Sequence, residues 1–123
     1  MHHFDLDRMY CAAIKRGEIF LVANHDHSEE NLMIIVQDNV LNERLSTVLA
    51  IPIAPHHEAG GHFKNQFLLK PSETSLGEPA VGLPQKIEAV DRRRLLAKTG
   101  ELAPDRLRDL FDVLDINLGR FRD

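Results

Sequence analysis

Five of the seven histidines lie in two short polar segments of the sequence. His25 and His27 lie in the first segment, and His56, His57 and His62 lie in the second. Because imidazole titrates near neutral pH, one neutral and one protonated histidine can act together as general base and general acid. Histidines in polar segments are also commonly plain solvated side chains, and this alternative stays open.

A metal site is a further possibility for these side chains. His25 and His27 are separated by one residue, and the second segment reads HHEAGGH. Neither arrangement is a standard spacing for structural zinc, and Cys11 is the only cysteine. We therefore expect no metal and no other cofactor.

Length and charge limit the classes of protein that the chain can represent. It has 123 residues, 43% of them hydrophobic, which is enough for one core, and its net charge is −4. An acidic balance argues against non-specific phosphate binding. No stretch approaches the roughly 20 apolar residues of a membrane helix, and the N-terminal MHHFDLDRMY does not resemble a signal peptide. We expect a cytoplasmic protein with no membrane partner.

Short β-rich runs separated by polar segments occupy most of the chain. The first, EIFLVA, is continuously apolar after its glutamate, which is typical of a strand that is buried on both faces. Pro52 indicates an edge or a bulge in the third strand. Segments 38–44 and 72–79 are predicted as irregular connections, and strands are predicted at 18–23, 32–37, 47–53, 66–70, 80–83, 86–90 and 95–99.

The clearest helix follows these strands. Pro104 suits its first position, and Gly119 ends it. One apolar stripe, expected to face the core, comprises Leu107, Leu110, Phe111, Leu114 and Leu118. The order predicts a mainly β fold with α: a small, curved antiparallel sheet or partly open barrel with a helix laid across it. Residues 1–14 are interpreted as an extension with one or two helical turns, in which Cys11 serves as a small apolar side chain.

Three stretches resemble the MazF/PemK/Kid toxin family. They are KRGEIFLV, LMIIVQDNVLN and the C-terminal segment AVGLPQKIEAVDRRRLLAKTGELAPDRLRDLFDVLDINLG. Members of that family are small SH3-like antiparallel barrels packed by a C-terminal helix, and they are usually homodimers. Most cut single-stranded RNA at short sequences without a metal and leave a cyclic phosphate. An antitoxin tail binds across the RNA groove, and some relatives with this fold bind DNA gyrase instead.

The resemblance implies a toxin domain at 15–123 and an RNA groove flanked by the two histidine segments. His25 and His57 then become the candidate catalytic pair. The candidate RNA-binding residues are His27, Asn31, His56, Lys64 and Lys70. The arginines at 92–94 can be read as a phosphate clamp or as a solvated run, and we favour the solvated run.

Two positions depart from the family pattern. The arginine that family members place at the start of the second strand corresponds to Asn31, and the hydroxyl residue after the third strand corresponds to Ala54. Two hypotheses follow. The chain is a toxin that cleaves single-stranded RNA with other groups, or it is a catalytically degenerate protein that acts through contacts with an antitoxin or with gyrase.

Overall fold

The computed structural model describes residues 9–56 and 64–120. Seven strands form an antiparallel sheet with the order β4-β5-β3-β2-β1-β7, and β6 pairs with β3 outside this path. The strands are β1 (Glu18–Ala23), β2 (Glu30–Ile35), β3 (Thr47–Pro55), β4 (Phe67–Leu69), β5 (Ala80–Gly82), β6 (Glu88–Asp91) and β7 (Leu95–Glu101). The prediction of a mainly β, antiparallel fold with a C-terminal helix is confirmed.

Within residues 9–56 and 64–120, three α-helices accompany the sheet: α1 (Asn39–Arg44), α2 (Pro71–Thr74) and α3 (Pro104–Leu118). Helix α3 was predicted, whereas the irregular connections predicted over α1 and α2 are wrong. Helix α1 forms because Asp38 accepts a hydrogen bond from the backbone N–H of Val40 and thereby caps it. A short 3₁₀ turn, Pro84–Lys86, replaces the start of the extended segment predicted at 86–90.

Alternate residues of the central strands fill two separate cores. Ile19 and Ile34 belong to the core on one face of the sheet, and Phe20 and Ile35 to the core on the other. Strand β1 is therefore buried on both faces, as its continuous apolar run predicted.

Helix α3 covers the face that contains Ile19. Leu110 is fully buried there, and Leu107 and Phe111 pack against the same core. Leu118 is 67% exposed, so its predicted place in the core is wrong. It lies in the last turn of the helix.

The segment before β1 packs against the other face without forming a helix. Residues 9–14 contain no helical turn, which corrects the prediction for that part of the extension. The Tyr10 ring meets Phe20 edge-on at 4.7 Å between centroids, and its backbone N–H donates to the Leu95 carbonyl. Cys11 is exposed and does not act as a buried apolar side chain.

The KRGE stretch forms the entry to β1. Gly17 adopts a φ of 91°, which L side chains rarely adopt, and its N–H donates to the Ile35 carbonyl. Buried Glu18 accepts from the backbone N–H of Lys15 and pairs with Lys98 at 3.0 Å. Glu18 raises the pKa of the Lys98 ammonium group. The glycine and the acid of this stretch are thus explained by backbone geometry and by an ion pair between buried Glu18 and exposed Lys98.

Pro52 lies where the pairing between β2 and β3 ends. The β2–β3 pairing runs from Ile35 to Met33, which lies opposite Pro52. From Ile53 onward β3 pairs with β5, and the Pro52 carbonyl accepts from the Leu83 N–H. Since the Pro52 carbonyl points to the β5 edge of β3, β5 lies on the opposite edge from β2. The β2–β3 pairing ends at the Met33–Pro52 pair, and beyond it the two strands separate. Within the described part of the chain, no helix is long and apolar enough to cross a membrane.

Candidate functional site

A cleft opens where β2 and β3 separate, and we call it cleft A. Its volume is about 360 Å³. Side chains from seven parts of the chain line it: β1, the β1–β2 loop, β2, β3, the turn before β6, β6 itself and the turn after β6. The polar members that matter for chemistry are His25, Asn31, Lys86, Glu88 and Arg94.

Arg94 is held rigidly at the wall of cleft A. It is only 7% exposed, and its Nε donates to the Ala23 carbonyl at 2.7 Å. Its Nη2 lies 3.8 Å from Oε1 of Glu88, whose side chain is half-exposed. No hydrogen-bond partner of Nη1 is found among the described residues. A buried guanidinium with a spare donor is suited to stabilising negative charge on a phosphate.

The favoured interpretation of residues 92–94 as a solvated run is wrong for Arg94. A 3₁₀ turn, Arg92–Arg94, sends successive side chains in different directions. Arg92 donates to the Asn42 carbonyl, and exposed Arg93 pairs with Asp91 at 2.7 Å and lowers the pKa of that carboxyl group. Only the third arginine reaches cleft A.

The β1–β2 loop presents His25 to cleft A. Asn24 holds the loop, because its Oδ1 accepts from the backbone N–H groups of Ser28 and Glu29. Its backbone also closes the turn by accepting from the N–H of His27, which has a φ of 59°. A hydrogen-bonded loop of this kind fixes the position of His25 better than a free loop would, while leaving the imidazole exposed.

Asn31 and Ala54 face each other across the gap between β2 and β3. Continuing the observed pairing of Met33 with Pro52 by two residues brings these two positions opposite one another. Both line cleft A, and both also line a second cleft of about 340 Å³, which we call cleft B. Their predicted correspondence to family catalytic positions stays a prediction, but the structure places them together at the junction of the two clefts.

Two predicted RNA-binding residues lie elsewhere. His56 and Lys70 line a third cleft of about 460 Å³, cleft C, together with Arg106. Burial raises the pKa of the Glu73 carboxyl group, but hydrogen bonds from Arg106 and from the Lys70 N–H outweigh burial, so the pKa is lowered. Since Glu73 already pairs with Arg106 at 2.9 Å, cleft C offers mainly Lys70 and His56 to an anion.

The remaining predicted residues are not gathered into these clefts. Over residues 9–56 and 64–120, neither His27 nor Lys64 lines cleft A, B or C. His57 and His62 lie outside the described residues, so their roles stay predictions. Within the described ranges, no group of three or more histidine, cysteine or acidic side chains could hold a metal ion.

Sequence reasoning missed Lys86, Glu88 and Arg94 as site residues. Their positions depend on which strand lies beside β3. Strand β6 lies there and pairs with β3 up to Glu88, which is opposite Ala50. The usable signal was local: buried Leu95 directly follows the arginine run, which favours burial of the last arginine over the first two.

Comparisons with known proteins agree with this architecture. Residues 15–118 match the model of a family described as PemK-like, MazF-like toxin of type II toxin–antitoxin system. No curated protein matches the sequence significantly. An endoribonuclease from a mycobacterial species superposes with a TM-score of 0.73 at 18% identity, covering 89% of this chain and 95% of that one.

Two solved complexes are also similar. One is a mycobacterial endoribonuclease in complex with its cognate antitoxin, with a TM-score of 0.72, 18% identity and coverage of 89% and 96%. The other is MazE–MazF from Deinococcus radiodurans, with a TM-score of 0.69, 16% identity and coverage of 89% and 98%. At these identities the likeness concerns the fold.

Proposed function

Because the chain belongs to the PemK-like, MazF-like family of toxins of type II toxin–antitoxin systems, we propose that it is an endoribonuclease that cleaves single-stranded RNA in cleft A. The observation that carries this proposal is the grouping of His25, Glu88 and Arg94 around one cleft. These are the three kinds of group that cleavage through the ribose 2′-hydroxyl requires.

Each group has a role in the proposed reaction. The Glu88 carboxylate accepts the proton of the 2′-hydroxyl, whose oxygen attacks the adjacent phosphorus. The P–O5′ bond breaks, and protonated His25 donates a proton to the leaving 5′-oxygen. Arg94 stabilises the extra negative charge on the phosphorane, and Lys86 attracts the phosphate. The products are a 2′,3′-cyclic phosphate and a 5′-hydroxyl, so atoms and charge balance without a co-reactant.

Incubation of RNA with the protein in EDTA, followed by sequencing of the ends, tests the proposal. We expect specific cuts that bear a cyclic phosphate, and a loss of at least about 100-fold in rate for His25→Ala. His56→Ala is the matched control, because it removes a histidine from cleft C and leaves cleft A intact. Equal rates for the wild type and for His25→Ala would remove His25 from the mechanism.

One observation favours a second candidate function. Asn31 and Ala54 give the centre of the groove neither an acid nor a base. A protein that only binds, acting through contacts with its antitoxin or with another protein target such as gyrase, would leave RNA intact in the same assay at high protein concentration.

We also propose that a cognate antitoxin binds this chain, that the chain forms a homodimer, and that it acts in the cytoplasm. The solved complex of a similar endoribonuclease with its antitoxin supports the first point. Sedimentation of the purified protein, alone and with the co-expressed antitoxin, tests both assemblies. A species of about 14.0 kDa at all concentrations contradicts the dimer.

A further inference from the structure

Cleft B adjoins cleft A across the gap at Pro52, and we propose that it binds a nucleobase of the same RNA strand. We infer that Glu30 selects a base with an exocyclic amino group, adenine or cytosine, over uracil. This inference rests on the proposed RNA substrate. The two clefts share Asn31, Ile53 and Ala54, so they meet at the gap between β2 and β3, and one RNA chain can reach both.

Strand alternation assigns different side chains of β2 to the two clefts. Met33 belongs to the core on one face, and Leu32 belongs to the core on the other. Asn31 therefore shares the face of Met33 and cleft A, while Glu30 shares the face of Leu32 and cleft B. Asn31 and Glu30 are thus neighbours in sequence but lie on opposite faces of the sheet. Asn31 corresponds to the family arginine, and Glu30 is the proposed base-reading residue.

Charge differs between the two clefts. Lys86 and Arg94 line cleft A, whereas no lysine, arginine or histidine lines cleft B among the described residues. A phosphate is therefore favoured in cleft A and an uncharged base in cleft B. The apolar walls of cleft B, Leu21, Leu32 and Leu76, suit the faces of a planar base, and a volume of about 340 Å³ leaves room for one.

The polar atoms of cleft B are mainly acceptors. The Thr74 hydroxyl donates its proton to the Pro71 carbonyl, and the Ser75 hydroxyl donates to the Thr99 carbonyl. The Thr74 oxygen already accepts from the Leu76 N–H, whereas the Ser75 oxygen keeps acceptor capacity, and an ionised glutamate only accepts. An amino group on the base edge finds partners in such a cleft, whereas the exocyclic carbonyl groups of uracil face other acceptors.

Cleavage of an RNA pool randomised in sequence, in EDTA, tests the inference with Glu30→Gln. The wild type is expected to favour adenine or cytosine over uracil by about tenfold at one position beside the cut. Glutamine adds a donor, so Glu30→Gln should reduce that preference to about twofold. Glu29→Gln makes the same chemical change one residue away and lines neither cleft, so it should keep the wild-type preference. An unchanged preference in Glu30→Gln, or a uracil preference in the wild type, overturns the inference.

Binding separates this inference from the proposed cleavage. Fluorescence anisotropy with short labelled RNAs that carry 2′-O-methyl groups reports base preference without a cut. If the wild type does not cleave but binds with a preference that Glu30→Gln removes, the subsite stands and the cleavage proposal fails. If cleavage occurs and no variant changes base preference, the cleavage proposal stands and the base subsite fails. Absence of both binding and cleavage overturns both.

Discussion

Replacing Arg94 with glutamine should affect cleavage more than folding. The guanidinium donates to the Ala23 carbonyl at 2.7 Å and is 7% exposed. Losing this buried, charge-assisted hydrogen bond should lower the free energy of unfolding by about 1–3 kcal/mol. Losing a preorganised donor to the phosphorane should slow cleavage by about 100- to 1,000-fold, which corresponds to roughly 2.7–4 kcal/mol of transition-state stabilisation.

Two measurements separate these effects. Urea denaturation gives the stability of each variant, and single-turnover cleavage of one labelled RNA gives the rate at a temperature where each remains folded. Arg93→Gln is the matched control, because Arg93 is exposed and pairs with Asp91 outside cleft A. It should change stability by no more than about 0.5 kcal/mol and the rate by less than about threefold. A folded Arg94→Gln variant that cleaves as fast as Arg93→Gln would refute the role given to Arg94.

Three further predictions concern the scaffold and are checked by urea denaturation. Gly100→Ala should destabilise the fold by about 1–3 kcal/mol, because a Cβ at that position would lie 2.5 Å from the Glu73 carbonyl oxygen. Leu110→Ala should lower the free energy of unfolding by about 2–5 kcal/mol, because Leu110 is fully buried. Leu118→Ala, at an exposed position, should change it by less than about 0.5 kcal/mol. Equal losses of stability in the two variants would contradict the packing of α3. The pKa of Glu73 is lowered below 4.5 despite burial, since Arg106 donates to its carboxylate. The contribution of Glu73 to the free energy of unfolding is therefore complete above pH 4.5 and is lost as the pH falls through the folded-state pKa. Glu73→Gln should flatten the pH dependence in that window, and an unchanged slope would contradict the pairing.

The strands and the last helix were readable from sequence because periodicity and composition act locally. The continuous apolar run after Gly17 predicts a strand that is buried on both faces. Pro104 and one apolar stripe predict α3. Helix α1 was missed, although Asp38 is a recognisable N-cap, because the helix has only six residues and no buried apolar stripe. The Gln37 side chain donates to Asn42, and the Asn42 side chain donates back to the Gln37 carbonyl.

The candidate site was only partly predictable, for a different reason. His25 and Asn31 were found because they flank strands that the sequence defined, and both line cleft A. Arg94 and Glu88 were missed because β6 reaches the site through its pairing with β3, which is a long-range contact. His56 was expected in the same groove as His25, but it follows the part of β3 that pairs with β5, and it lines cleft C.

The β2–β3 pairing stops at the Met33–Pro52 pair, so the opening between these strands is part of the folded backbone. If RNA binds as proposed, its strand meets a groove that already exists in the folded protein. Binding then avoids the free-energy cost of separating two paired strands, which is the general advantage of a preorganised site. The exposed side chains that line cleft A, such as His25 and Glu88, can also vary without disturbing the core.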